Sequence, residues 1–214
     1  MNCDKIAPWY RWLEYATFGP FLWQCRCAYL SDMGQARRIL VVGDGDGRFL
    51  QALLKHNTHA RIDCVDNSQA MIALEQSRVP AADSRRVAFY HANILDWTVP
   101  SETYELIVTH FVLDCFSPAE VSALIFKIAA GVAPGARWVI SEFQVPARSP
   151  LRLLMSTAIA IMYRWFRWTT GLKPQQLPSH ESLMLRQGFQ PERRVDRLGG
   201  FLTSQQWVFA QIKH

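Results

Sequence analysis

No stretch of this sequence offers the roughly 18 uncharged apolar residues that a membrane-spanning helix needs, so an integral membrane protein is not expected. The opening MNCDKIAPWYRWLEY has no long apolar run, which argues against a secretory signal. Cysteine is sparse and odd in number: Cys3, Cys25, Cys27, Cys64 and Cys115, with no C-x-x-C among them. That pattern suits reduced thiols in a cytoplasmic chain and argues against a disulfide framework or a zinc site. No His, Cys or carboxylate cluster has metal-ligand spacing, so no metal is expected. Repeats and low-complexity tracts are absent as well.

What is present is apolar and aromatic. Of 214 residues 50% are hydrophobic and 19% charged, which excludes a disordered chain. The net charge of +5 is unevenly placed. Residues 144–214 hold 10 basic and 3 acidic groups, a net +7, against a net −2 for the rest. Arginine outnumbers lysine 18 to 5, which fits anionic partners and also follows from genome composition.

Short β-branched runs alternate with amphipathic ones. RRILVVG (37–43), RIDCVD (61–66), RVAFYHA (86–92), ELIVTHF (105–111) and ARWVISEF (136–143) read as buried strands. GRFLQALLKHN (47–57), SQAMIALEQSR (68–78) and SPAEVSALIFKIAAGV (117–132) read as helices, the latter two opened by Ser68 and by Ser117-Pro118. Residues 8–30 read as helix interrupted near Gly19-Pro20, and 179–189 as a short helix closed by Gly188. Segments 192–198 and 203–212 read as two final strands. Alternating strands and helices imply parallel pairing and a doubly wound sheet whose ligand crevice lies at the carboxyl ends of the strands.

The stretch ILVVGDGDGRFL is the most informative. An apolar strand runs into Gly43, Gly45 and Gly47, and a helix follows. Such a turn lets a ligand approach the backbone and meet the free N–H groups of a helix start. The dinucleotide fingerprint G-x-G-x-x-G would need glycine at position 48, which is Arg48. Asp66 ends the second strand, where a carboxylate can grip both ribose hydroxyls of either cofactor type.

The G-x-G-x-G spacing resembles the first motif of class I S-adenosylmethionine-dependent methyltransferases. VDNSQAMI (65–72), YHANILDW (90–97), YELIVTHFVLDCF (104–116) and GARWVISEF (135–143) resemble further motifs of that family, in order. The resemblance covers roughly residues 36–143 and implies a mostly parallel seven-stranded Rossmann-like α/β sheet in a single domain, 1–214. In that domain 1–35 would be an N-terminal helical cover, 36–143 the cofactor core, 144–178 a helical insertion and 179–214 a helix with an antiparallel strand pair. It implies S-adenosylmethionine as cofactor, held by Gly43, Asp44, Gly45, Asp46, Gly47, Asp66, Asn67, Asn93, Ile94 and His110. Asn93 stands where the family often has aspartate, and its amide oxygen can still accept from an adenine amine. Val41 stands where many members carry an acid near the methionine end, a place Asp44 or Asp46 would take; both can also cap the following helix.

His110, just past the fourth strand, is the candidate proton acceptor, with Asp114 as a residue that could orient it. Glu142 is a second catalytic candidate at the end of the fifth strand. His91, His56 and His59 read as structural or surface residues. The region after the fourth strand has no Asn/Asp-Pro-Pro-Tyr-like run, so nucleic acid is not an expected partner. PLRLLMSTAIAIMYRWFRWTTGL (150–172) fits a core or homo-oligomer helix, a lid over an apolar acceptor, or a peripheral membrane contact. Trp9, Tyr10, Trp12 and Tyr15 would cover the same mouth. The expected activity is methyl transfer to a small, apolar, lipid- or quinone-like molecule. A nicotinamide-dependent oxidoreductase and a non-catalytic cofactor-binding protein are the alternatives.

Overall fold

The computed structural model describes residues 18–101, 103–144 and 180–210. Expectations for Cys3, for Trp9 to Tyr15 and for 150–172 therefore lie outside the described residues.

Seven strands form one sheet in the order β3-β2-β1-β4-β5-β7-β6. They are β1 (Arg38–Val42), β2 (Arg61–Asp66), β3 (Val87–His91), β4 (Tyr104–His110), β5 (Val132–Phe143), β6 (Phe189–Arg197) and β7 (Leu202–Phe209). The first five pair in parallel, and β7 runs antiparallel between β5 and β6. The sheet is thus mixed, with its parallel part carrying the crevice, as the alternation of elements implies. β5 begins four residues earlier than the sequence suggests. The helix before it stops at Ala129, so Pro134-Gly135 falls within the strand.

Helices α1 (Phe21–Arg26), α2 (Arg48–His56), α3 (Gln69–Arg78), α4 (Pro118–Ala129) and α5 (Glu181–Arg186) complete the described frame. Local chemistry starts two of them where expected. The Ser68 hydroxyl accepts from Met71 N–H at 3.2 Å. Ser117 and Glu120 form a reciprocal capping box with Pro118 in the first turn.

Because strand side chains alternate, the sheet buries both faces. Leu40, Val42, Ile107, Trp138 and Ile140 pack on one side against Val121, Leu124, Ile125 and Ile128 of α4. Ile39, Val41, Val108 and Val139 pack on the other side against Phe49, Leu50, Leu53 and Leu54 of α2. Each such fully buried side chain contributes about 1.5–3 kcal/mol relative to exposure. These two layers fix the carboxyl ends of β1, β2 and β4 side by side, and the loops leaving them border a single cleft. No helix among the described residues is long and apolar enough to cross a membrane.

Candidate cofactor and catalytic site

The glycine turn takes the left-handed form that side chains resist: φ is +65° at Gly43, +74° at Gly45 and +79° at Gly47. Two of the three also have no room for a Cβ. At Gly43 it would meet Val112 Cγ2 at 2.7 Å, and at Gly47 the Glu75 Cα at 2.6 Å. Gly43 and Gly45 border the cleft, as do Asp66, Asn67, Asn93, Ile94 and His110. Four separate sequence segments are thereby brought to one opening.

Asp66 closes β2, and its carboxylate accepts from Ser68 N–H at 2.8 Å. Burial pushes its carboxyl up to about 6. Asn93 is shaped by its own turn: Oδ1 accepts from Leu95 N–H at 3.1 Å and the amide donates to Asp96 at 3.1 Å. One lone pair of Oδ1 remains for a further donor.

His110 is 4% exposed. Its Nδ1 lies 2.9 Å from Ser141 Oγ, and its ring meets Phe49 edge-on at 4.6 Å between centroids. Nε2 is buried with no hydrogen-bond partner among the described residues. Burial first, then the Arg26 charge, hold the imidazole well below its usual range, so it is neutral at pH 7.

A family model described as a methyltransferase domain matches residues 39–135. Over 155 residues the chain is 30% identical to the carboxy-S-adenosyl-L-methionine synthase of Salmonella arizonae, covering 70% of this chain and 60% of that protein. The same figures hold for the Salmonella newport protein. The chain thus spans about 60% of the length of the curated relatives it matches. Among solved structures, a putative methyltransferase from Haloferax volcanii, in complex with an activator, superposes with a TM-score of 0.70 at 12% identity, covering 96% of this chain and 97% of that one. The N-methyltransferase NodS from Bradyrhizobium japonicum, with bound S-adenosyl-L-homocysteine, gives 0.60 at 17%, covering 88% and 84%. Mitomycin 7-O-methyltransferase gives 0.69 at 15%, covering 98% and 61%. At these identities the likeness establishes the fold, and the family match agrees with the motif order.

Residues 39–135 thus carry a methyltransferase-domain match on a fold shared with solved methyltransferases.

Within that methyltransferase frame, several expected site residues have other work. Asp46 does not border the cleft. Arg48 Nε bonds both of its oxygens at 2.8 Å, and Arg78 reaches one of them at 3.2 Å. It pins the glycine turn to α3 and is unavailable to a cofactor. Asp44 caps α2, with Oδ2 accepting from Leu50 N–H at 3.0 Å. Its Oδ1 is buried without a partner among the described residues, and burial pushes the carboxyl up to about 7. Asp44 does not border the cleft either, nor does Gly47, so of the expected turn residues only Gly43 and Gly45 line it.

Glu142, expected as a catalytic group, caps the turn after β4. Its Oε1 accepts from Val112 N–H at 3.1 Å and Leu113 N–H at 2.8 Å. Burial and neighbouring Asp114 raise its carboxyl well above the ordinary range, and it does not border the cleft. Its contacts are those of a loop cap, while Oε2 is buried with no hydrogen-bond partner among the described residues. Ser141, not Asp114, meets the ring of His110. His91 ends β3 opposite Asp66 and is exposed, and His56 and His59 are surface residues.

The structure adds cleft residues with no sequence signal. Phe111 holds φ at +58°, a strained value for a bulky residue, costing about 1–3 kcal/mol. Its N–H donates to Ser141 O at 2.7 Å, and its ring packs on Phe143 at 5.0 Å with the Arg26 guanidinium 5.6 Å away. Met71, Val112, Cys115 and Phe116 complete the apolar wall. Glu75, on α3 behind Gly47, is 1% exposed with Oε2 unpartnered. Burial and the nearby carboxylates push it up to about 10.

S-adenosylmethionine fits this donor set. The backbone at Gly43 and Gly45 is bare, and a strand-end carboxylate faces the cleft.

Proposed function

We propose that the cleft binds S-adenosylmethionine and that the protein transfers its methyl group to a small, apolar, lipid- or quinone-like acceptor in the cytoplasm. The observation that carries the reading is the left-handed glycine turn at the end of β1 opening on the same cleft as Asp66 of the neighbouring strand. Gly43 and Gly45 present backbone to the cofactor, Asp66 takes the ribose hydroxyls, and Asn93 with Ile94 takes the adenine edge. Asn67 borders the ribose side.

When bound, the cofactor supplies a methyl group already activated on a sulfonium. The protein has to align the acceptor, exclude water and take up a proton. Phe111, Val112 and Phe116 form the water-excluding wall and support an apolar acceptor. His110 receives the proton that a hydroxyl sheds as its oxygen gains the methyl. The covering role expected of residues 144–178 belongs to the same proposal.

Calorimetry with S-adenosylhomocysteine and with NADH tests the cofactor. Binding of the first alone is the expected result, and binding of NADH alone rejects the reading. Incubation with methyl-tritiated S-adenosylmethionine and a panel of quinols and phenolic lipids tests the acceptor. Label entering the organic phase supports an apolar acceptor; label confined to water-soluble products removes it. A carboxylated cofactor formed in a second incubation, supplied with a carboxylate-bearing donor, would instead assign the chemistry for which the Salmonella relatives are named.

A further inference from the structure

His110, Ser141 and Ser204 form one lateral row across three adjacent strands. His110 is the register partner of Ser141 in the parallel β4–β5 pair, and Ser141 that of Ser204 in the antiparallel β5–β7 pair. Their side chains share the sheet face covered by α1. There the row ends on a backbone carbonyl, with Ser204 Oγ 2.8 Å from Cys25 O. Ser141 Oγ lies 3.0 Å from Ser204 Oγ and 2.9 Å from His110 Nδ1.

The direction of this chain follows from counting protons. Three contacts each need one proton, and the terminal carbonyl can only accept. Ser204 therefore donates to Cys25 O. Ser141 donates to Ser204 at 3.0 Å and shares that proton only weakly with the same carbonyl at 3.4 Å. No hydroxyl proton is left for the contact with His110, so Nδ1–H donates to Ser141. Turning Ser141 toward the ring instead would set two oxygen lone pairs against each other or strip the carbonyl of its serine donor. A neutral imidazole with hydrogen on Nδ1 has its lone pair on Nε2. Nε2 is the buried atom without a partner among the described residues, on a residue that borders the cleft.

We infer that Ser141 and Ser204 are positioning residues that lock His110 in the Nδ1–H tautomer, so that Nε2 is presented to the cleft as the proton acceptor for the methyl-accepting group. The inference deepens the proposed methyl transfer and rests on it for the acceptor. In the transfer the acceptor O–H or N–H bond breaks, the proton joins Nε2, and the nucleophile's electron pair takes the methyl as the methyl–sulfur bond breaks and leaves its pair on sulfur, S-adenosylhomocysteine being the leaving group. Acceptors that bring such a hydrogen are selected; a thioether or a tertiary amine offers Nε2 nothing.

The test is the tautomer itself. Full-length protein labelled with 15N-histidine is measured by long-range 1H–15N correlation between pH 6 and 8, with and without S-adenosylhomocysteine. The His110 signals are those lost in His110→Gln. The expected pattern is a protonated Nδ1 and an unprotonated Nε2 throughout. Ser141→Ala should shift His110 toward the Nε2–H form, and Ser141→Thr should restore the wild-type pattern. Ser204→Ala, which frees the Ser141 proton to turn back, should produce a detectable Nε2–H population and serves if Ser141→Ala folds poorly. A wild-type His110 protonated on Nε2, or a tautomer indifferent to these variants, overturns the proposal. S-adenosylhomocysteine affinity within twofold of wild type in the alanine variants separates positioning from general loss of structure. Failure of the wild type to bind S-adenosylhomocysteine would sink the methyltransferase reading, whereas the spectra decide the tautomer separately.

Discussion

Gly47 stands directly against Glu75, with 2.6 Å between an added Cβ on the first and the Cα of the second. Backbone on backbone cannot yield as a flexible side chain does. Gly135 has nearly the same left-handed φ, +77°, with nothing within 4 Å. Gly135→Ala should therefore cost only the conformational strain, about 1 kcal/mol. Gly47→Ala should add a steric cost of about 1–3 kcal/mol. Urea midpoints compare the two, and equal losses would show that α3 moves aside freely.

Glu75 titrates in a direction that can be worked out. Its folded value, near 10, lies above the ordinary carboxyl range, so the folded protein holds a proton that the unfolded chain gives up. The resulting stability is fully present below about pH 4.5, the ordinary glutamate value, and is lost as pH rises toward 10. Asp44 and Asp66 act in the same sense over lower windows ending near 7 and 6. Thermal unfolding should show the cofactor-free protein less stable at pH 8 than at pH 5. Glu75→Gln should flatten that slope and raise the melting temperature at pH 8. A slope unchanged in the variant would refute the assignment.

Asp66→Ala should weaken S-adenosylhomocysteine binding by about 1–3 kcal/mol, the cost of unpaired polar partners. Hydroxyl donors favour the ionised carboxylate. Since the Asp66 carboxyl in the cofactor-free protein lies near 6, affinity should rise as pH increases through that value. Calorimetry at pH 5 and 7.5 measures this, and equal affinities would remove Asp66 from the ribose site.

His110→Gln should lower turnover by about 100-fold or more, the scale of general-base assistance, while S-adenosylhomocysteine affinity changes little. A loss of affinity with turnover intact would make His110 a binding residue.

Glu142 separates capping from catalysis. Glutamine keeps an acceptor for Val112 and Leu113 N–H, whereas alanine leaves both donors buried. Glu142→Gln should therefore be near neutral in melting temperature, and Glu142→Ala should lose about 1–3 kcal/mol. Turnover abolished in a stably folded Glu142→Gln protein would return this carboxyl to the chemistry.

The strands and the glycine turn were readable because their signals are local. A β-branched run, a serine before a helix and three alternating glycines each speak within a dozen residues. The fates of Asp46, Asp44 and Glu142 were harder to read. Asp46 is claimed by Arg78 from 32 positions away, and Glu142 is drawn back to a loop about 30 positions earlier. No spacing rule reports such pairings, and a buried acid in a cap looks in sequence like one in a cleft. Phe111 is equally silent, because nothing in its identity announces a left-handed backbone. His110 was legible as a strand-end histidine, but its anchor required the register of three strands.

The placement of β7 between β5 and β6 bears on how the protein is made. Strands one to five can pair as they leave the ribosome, whereas β6 pairs, among the described strands, with one that follows it in the chain. Ser204 lies on that late strand. The imidazole clasp therefore depends on the strand that comes last in sequence among those described, and a nascent chain halted before position 202 would hold His110 and Ser141 without Ser204.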